Sequence, residues 1–286
     1  MEQKLAKPEW LKIKISTNGN FSGIKSTLKQ HSLHTVCESA HCPNISECWN
    51  TGTATFMLMG DICTRGCKFC AVKTGNPMQQ LDAEEPKKLA KALAEIKLFD
   101  YVVLTSVNRD DLEDGGSSHF AECIKEIKNA YPKIIVEVLI PDFKGEIDSL
   151  KKIVDAKPEV IAHNIETIER LQKKVRDPRA NYRQSLQVLE NIKKLNPKIY
   201  TKSSIMVGLG ETDEEVLQSM EDLRAINVDI LTIGQYLRPT DWHIVVNEYV
   251  PPEKFEYYRQ KALELGFLFC ASGPFVRSSY KAGELF

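Results

Sequence analysis

Six of the chain's eight cysteines fall within residues 37–70, in the run CESAHCPNISECWNTGTATFMLMGDICTRGCKFC, and they divide into two groups of three. Cys63, Cys67 and Cys70 stand in a CxxxCxxC spacing, compact enough for one loop to wrap a single face of an iron–sulfur cubane. Three thiolates hold three of four irons. The fourth iron is then open to a small molecule, as catalytic metal sites keep a position free where structural ones close it. Zinc would need a fourth protein ligand, and this loop contains no histidine. Cys37, Cys42 and Cys48 form the wider pattern CxxxxCxxxxxC, which is not that of a common zinc finger and implies a second cluster. His41 offers a nitrogen, but as the neighbour of Cys42 it is badly placed to share one metal with it, so a distant residue is expected to complete this site. Cys123, in a helix pattern, and Cys270, in FLFCA, read as buried inert thiols.

The elements that must position these groups are legible as alternation. Short apolar runs read as buried strands: TFMLM (55–59), YVVLTS (101–106), IIVEVLI (134–140), EVIAHNI (159–165), YTKSSIMV (200–207) and DILTIG (229–234). Between them AEEPKKLAKALAEIKLF, SHFAECIKEIKNAY, NYRQSLQVLENIKKL and TDEEVLQSMEDLRAI place apolar residues three and four apart, as amphipathic helices do. The order is βα repeated about six times, which implies parallel strands with right-handed crossovers. Either an open doubly wound sheet or a full or partial barrel satisfies it. In both, reactive groups gather just beyond the C-terminal strand ends, and GDICTRGCKFC follows TFMLM at such a place. Residues 1–54 show no βα pattern and are expected to form an N-terminal extension over a core spanning 55–241. Residues 242–286 divide into a helix at 252–266, an apolar strand FLFCASG and a polar end. The acidic run RDDLEDGG (109–116) reads as a solvated loop, and the lone GxG in VGLGET is too weak to indicate a dinucleotide fold.

Composition narrows the function class. With 42% hydrophobic and 27% charged residues over 286 positions, the chain has the balance of an ordinary globular protein. A net charge of −1 argues against a broad basic face for nucleic acid. No apolar stretch is long enough for a membrane span or a secretory signal. A cytoplasmic enzyme is the expectation, and in that reducing compartment clustered thiols bind metal or do redox chemistry rather than pair as disulfides.

CxxxCxxC with an aromatic residue, Phe69, before the last cysteine resembles the cluster loop of the radical S-adenosylmethionine superfamily. That resemblance implies an α/β fold, a partial (β/α)6 TIM-type barrel over about residues 55–241. It also implies a 4Fe-4S cluster on Cys63, Cys67 and Cys70 whose open iron is chelated by S-adenosylmethionine, the source of a 5'-deoxyadenosyl radical. Cofactor contacts carried over loosely are Phe69, Thr105, Asn164, Glu166, Lys202 and Tyr236. At TSV (105–107) the chain departs from the Gly-Gly-Glu segment usual in the superfamily, which leaves that contact to the backbone and Thr105.

CESAHCPNISEC, together with RSSY (277–280), KPEWLKIKI near the start and GPFVRSSYKAG near the end, resembles the lipoyl synthase family over nearly the whole chain. The resemblance implies that a second 4Fe-4S cluster is held by Cys37, Cys42, Cys48 and Ser279, with Arg277 steadying the charge around it. It implies sulfur insertion at C6 and C8 of an octanoyl chain amide-linked to a lysine of a lipoyl carrier domain, on glycine cleavage H protein or a 2-oxoacid dehydrogenase E2 subunit. The auxiliary cluster is then the sulfur donor, and the terminal segments form a cluster-binding extension and a C-terminal lid over the barrel mouth. An electron donor such as ferredoxin or flavodoxin and an iron–sulfur carrier for repair complete the expected partners, with no nucleic acid and no membrane. The alternatives are sulfur insertion into a free small molecule as in biotin synthase, protein-radical activation, a two-cluster electron carrier and a zinc-binding interaction module.

Overall fold

The structure is a computed structural model that describes residues 6–12, 21–40, 42–50, 53–78, 80–96 and 99–280. His41 and the last six residues lie outside the described residues. The main sheet contains β1 (His34–Thr35), β2 (Thr55–Leu58), β5 (Tyr101–Ser106), β6 (Ile135–Leu139), β7 (Val160–Ala162), β8 (Tyr200–Val207), β9 (Ile230–Gln235) and β10 (Phe269–Gly273), in that spatial order. A two-stranded parallel ribbon pairs β3 (Ile62–Cys63) with β4 (Lys73–Thr74). From β2 to β10 every neighbouring pair is parallel, and only β1 pairs antiparallel with β2.

The helices are α1 (Phe21–Gln30), α2 (Val36–Ser39), α3 (Ile45–Asn50), α4 (Glu85–Ile96), α5 (Ser117–Ala130), α6 (Ile147–Asp155), α7 (Gln172–Val175), α8 (Tyr182–Leu195), α9 (Asp213–Ala225) and α10 (Pro252–Glu264). Starts follow local chemistry. The Thr212 hydroxyl accepts from the Glu215 amide while the Glu215 carboxylate accepts from the Thr212 amide, a reciprocal box that fixes the first turn of α9. Asn181 caps α8 through the Gln184 amide.

All six apolar runs are strands, and all four amphipathic patterns are helices. Of the elements beyond them, two complete the barrel wall. The helix α6 is only 9 residues long, so its strong apolar stripe of Leu150, Ile153 and Val154 spans too few turns to stand out by periodicity. The expected last strand, β10, extends the sheet as a seventh parallel strand beside β9 rather than lying apart from it. The N-terminal segment likewise joins the sheet, through β1.

Strand alternation sorts side chains into two environments. Val102, Leu104, Val136 and Val138 face outward into a core with Phe120, Ile124 and Ile153 of the helices, and Ile205, Val207, Leu231 and Ile233 do the same with Val216 and Met220. The opposite set faces the barrel interior, and it is partly polar. Lys202 of β8 reaches across β7 to both carboxylate oxygens of Glu137 on β6, at 2.8 and 2.9 Å, and the Tyr101 hydroxyl of β5 donates to the same carboxylate at 2.5 Å. Side chains on strands separated by a third can meet this way only on the concave face. The charges are almost fully buried, 3% exposed for Lys202 and 2% for Glu137, so each is needed to solvate the other. Among the described residues no helix is long and apolar enough to cross a membrane.

The interior pair makes a stability prediction. Lys202→Met strands the Glu137 carboxylate in the barrel and should cost about 3–5 kcal/mol. The double change Lys202→Met with Glu137→Leu should recover most of that loss, and urea unfolding of the three proteins measures both effects.

Candidate functional site

The CxxxCxxC loop leaves β3 and returns at β4, and the pairing of Ile62 with Lys73 and Cys63 with Thr74 closes its neck. From there it is tied down by the loops that follow several other strands. The Thr64 amide donates to the Asn108 carbonyl at 3.0 Å, beyond β5, and the Lys68 amide donates to the Val175 carbonyl at 2.9 Å, beyond β7. Beyond β9, the Ile244 amide donates to the Lys68 carbonyl at 3.1 Å and His243 Nε2 donates to the Cys70 carbonyl at 2.9 Å. The strongest tie is Arg65, inside the motif itself. Its guanidinium is held on one edge by Asp110 at 2.9 and 3.0 Å and on the other by Asp142 at 2.5 and 2.7 Å. The acidic run is therefore not a solvated loop, because Asp110 clamps the cysteine loop and Asp114 caps α5 through the amides of Gly116 and Ser118.

The sulfurs have the surroundings an anionic cluster needs. Cys63 Sγ accepts from the amides of Arg65 and Asn108 at 3.4 and 3.3 Å, and Cys67 Sγ accepts from the Asp177 amide at 3.3 Å. Such N–H donors stabilise thiolate charge and tune a cluster's potential. Burial pushes the free thiol of Cys67 up to about 11 and that of Cys70 up to about 12. Buried thiols of this kind become good ligands only when a metal replaces their protons. The donor set thus fits a three-thiolate cluster.

Glu166 lies within electrostatic reach of Cys67 and Cys70, and burial raises its carboxyl pKa against the opposing pull of Arg176 and a hydrogen bond from Asn164 at 3.1 Å. It holds a left-handed backbone at φ +67°, a conformation that a non-glycine residue keeps only under constraint. The buried Asn164 Oδ1 has no hydrogen-bond partner among the described residues. Phe69 packs against the second core at the edge of the loop. The other proposed contacts are already engaged: the Thr105 hydroxyl donates to the Leu139 carbonyl at 2.9 Å, and the Tyr236 hydroxyl to the Ile244 carbonyl at 2.7 Å. Lys202 is committed to Glu137, five residues below the end of its strand. Arg176, which the sequence does not single out, is buried beside Glu166 and Cys67 and donates to Gln172 and Ser185. Its local run QKKVRDPR gives no signal, since Lys173 and Lys174 in the same stretch are exposed.

The second triplet is gathered by two short helices. Cys37 sits in α2, Cys48 in α3 and Cys42 in the turn between, where its amide donates to the Cys37 carbonyl at 3.0 Å. Burial raises all three thiols, chiefly so for Cys48, which is pushed up to about 12; the Cys42 thiolate adds to the rise at Cys37 and Cys48, and Cys37 to that at Cys48. The chain's far end closes over them. The Asn44 side-chain amide donates to the Phe275 carbonyl at 2.6 Å, and the Tyr280 hydroxyl donates to Glu47 at 3.3 Å. Thr55 makes the decisive link, because it hydrogen-bonds to Cys37 through its backbone and side chain and donates its hydroxyl to Ser279 Oγ at 2.8 Å. Arg277 is half-buried, its guanidinium pKa lowered by desolvation against the opposing pull of Cys42. Gly234 on β9 makes room for this tail, since a Cβ there would stand 2.1 Å from the Val276 carbonyl oxygen.

Comparison with known proteins places this geometry. The model of the radical SAM superfamily matches residues 57–223, and the model of the N-terminal domain of lipoyl synthase matches residues 1–42. A lipoyl synthase of Halobacterium salinarum is 59% identical over 285 residues, covering 98% of this chain and 91% of that protein. The apicoplast lipoyl synthase of Plasmodium vivax is 57% identical over 280 residues, covering 98% of this chain, which spans 63% of that relative's length. Among solved structures, the FeFe-hydrogenase maturase HydG from Carboxydothermus hydrogenoformans superposes with a TM-score of 0.57 at 14% identity, covering 93% of this chain and 77% of that one. At that identity it shows the shared fold, which is the partial TIM-type barrel expected from the sequence.

Two outcomes test this geometry. Gly234→Ala should push residues 275–280 off the barrel, so that Cys42 and Cys48 of the metal-free protein are alkylated at least tenfold faster while Cys70 is unchanged, as read by peptide mass mapping. The Arg65 clamp gives a pH dependence. Arg65 holds the carboxyls of Asp110 and Asp142 below their ordinary value of 3.8, so the clamp's contribution is complete above that pH and lost as pH falls through the folded values. The stability gap between wild type and Arg65→Gln should therefore narrow between pH 7 and pH 3, as read by urea midpoints.

Proposed function

Since the chain belongs to the lipoyl synthase family within the radical S-adenosylmethionine superfamily, we propose that it inserts sulfur at C6 and C8 of an octanoyl group carried on a lysine of a lipoyl carrier domain. The observation that carries this reading is the Thr55 link, which puts Ser279 beside a cysteine triplet more than 220 residues away. When bound, an open-iron 4Fe-4S cluster with S-adenosylmethionine supplies a carbon radical strong enough to take hydrogen atoms from unactivated methylenes, and a second 4Fe-4S cluster supplies the sulfur.

The chain's own residues then have distinct tasks. Cys63, Cys67 and Cys70 hold the first cluster, while the amides of Arg65, Asn108 and Asp177 steady its sulfur charge. Asn164 and Glu166, with Arg176 behind them, offer polar groups to the cofactor from the mouth of the barrel, and Phe69 offers an apolar edge. Thr105 and Tyr236 act by holding the carbonyls of Leu139 and Ile244, and Lys202 by keeping the interior charge-balanced. Cys37, Cys42, Cys48 and Ser279 hold the second cluster. A hard serine oxygen binds iron–sulfur metal less securely than thiolate, which suits a cluster that must come apart.

We assign residues 1–54 to the cluster-binding extension, 55–241 to the barrel and 242–286 to the lid. The lid excludes water so that a substrate radical meets sulfide rather than solvent. The carrier is glycine cleavage H protein or a 2-oxoacid dehydrogenase E2 lipoyl domain, ferredoxin or flavodoxin supplies electrons, and an iron–sulfur carrier restores the consumed cluster. All eight cysteines are free thiols, which favours a reducing compartment such as the cytoplasm, although relatives carry apicoplast and mitochondrial names.

The test uses anaerobic, reconstituted protein with an octanoyl-lysine peptide, dithionite and S-adenosylmethionine. Cys67→Ala should abolish 5'-deoxyadenosine formation. Cys42→Ala and Ser279→Ala should keep it and lose the doubly sulfurated peptide. With ³⁴S-labelled sulfide built into the protein, both inserted atoms should be ³⁴S by mass, and an unlabelled product would refute the donor role.

A further inference from the structure

The cysteine loop begins at a strained turn. Met59, four residues before Cys63, takes a left-handed backbone at φ +66°, followed by Gly60 at φ +93°. For an unbranched L-residue that conformation is unfavourable and must be held from outside. Two contacts hold it. The Met59 amide donates to both oxygens of the Glu85 carboxylate, at 3.2 and 3.0 Å, from the first turn of α4. The Met59 side chain is seated on Gly116 at the head of α5, so closely that a Cβ on Gly116 would lie 2.2 Å from the Met59 sulfur.

Glu85 is in turn held by a third residue. His119 Nε2 lies 2.6 Å from Glu85 Oε2, with the two side chains 9% and 10% exposed. A carboxylate only accepts, so Nε2 carries the hydrogen. Cys123, one turn further along α5 and fully buried, brings its sulfur within 4.8 Å of both groups and closes the cluster on the core side. Asp114 fixes the same stretch from the other end, accepting from the amides of Gly116 and Ser118 and from Lys152 of α6.

We propose that Glu85 and His119 are positioning residues that hold the Met59 turn in its left-handed form, so that the Cys63–Cys70 loop is already shaped for its cluster before any metal arrives. This rests on the assignment of Cys63, Cys67 and Cys70 as cluster ligands only for its consequence, not for its geometry. The brace belongs to the folded chain itself and can be read in the metal-free protein.

The experiment compares wild type, Glu85→Gln, His119→Leu and His119→Gln as metal-free full-length chains by amide hydrogen exchange. Losing one buried charge-assisted hydrogen bond should raise exchange at residues 59–66 about tenfold. It should leave α8 and α9 protected, and His119→Gln, which keeps a donor, should restore most of the protection. The same order should appear in the rate of iron uptake during anaerobic reconstitution. Exchange at 59–66 equal to wild type, or rising equally in α8 and α9, overturns the brace. So does a stoichiometric zinc ion in the purified protein that Cys123→Ser abolishes, since the carboxylate would then be a metal ligand. If the exchange result holds and Cys67→Ala still makes 5'-deoxyadenosine, the brace stands and the cluster assignment fails.

Discussion

The barrel mouth is organised around one buried guanidinium. Arg65 is 4% exposed and lies between Asp142, 1% exposed, and Asp110, 13% exposed, with both edges of its planar fork satisfied. Such an arrangement adds little net stability, because desolvating three charges consumes much of their attraction. What it gives is geometry. Lysine could not engage two carboxylates edge-on, and loss of either acid would leave one edge of the buried guanidinium without its acceptor. Because Asp110 follows β5 and Asp142 follows β6, the loop that starts at β2 is locked to the next two strands of the sheet.

The same logic runs around the rest of the rim. Asp177 takes the Gly66 amide and pairs with Arg179, which itself donates to the Thr64 carbonyl, so the segment after β7 grips the loop from the far side. His243 and Ile244 complete the ring from beyond β9. A loop of eight residues therefore carries backbone contacts to three separate connections, and the Arg65 side chain adds a fourth. The interior below it is polar as well, with Lys202 and Glu137 neutralising each other and Tyr101 hydrogen-bonded to the same carboxylate.

The second triplet depends on a different constraint, the close approach of two chain ends. Thr55 stands at the start of the first parallel strand and touches both Cys37 and Ser279, while Gly234 opens the notch into which the Val276 carbonyl fits. Extension and tail are thus joined to the sheet by β1 and β10 and to each other by side-chain hydrogen bonds.

By itself the sequence determined the local facts: six strands from apolar runs, four helices from their spacing, and two cysteine triplets with ligand-like spacing. These are short-range, set by backbone geometry and the period of side-chain burial. Only the tertiary structure decided which acid meets Arg65, that Arg176 rather than Lys173 or Lys174 is buried at the site, that the run at 109–116 is a clamp and a cap, and that Thr55 joins Ser279 to Cys37. Each of those depends on which strand ends lie side by side once the sheet closes, and a buried charge looks the same in sequence as a solvated one until its partner arrives from another loop.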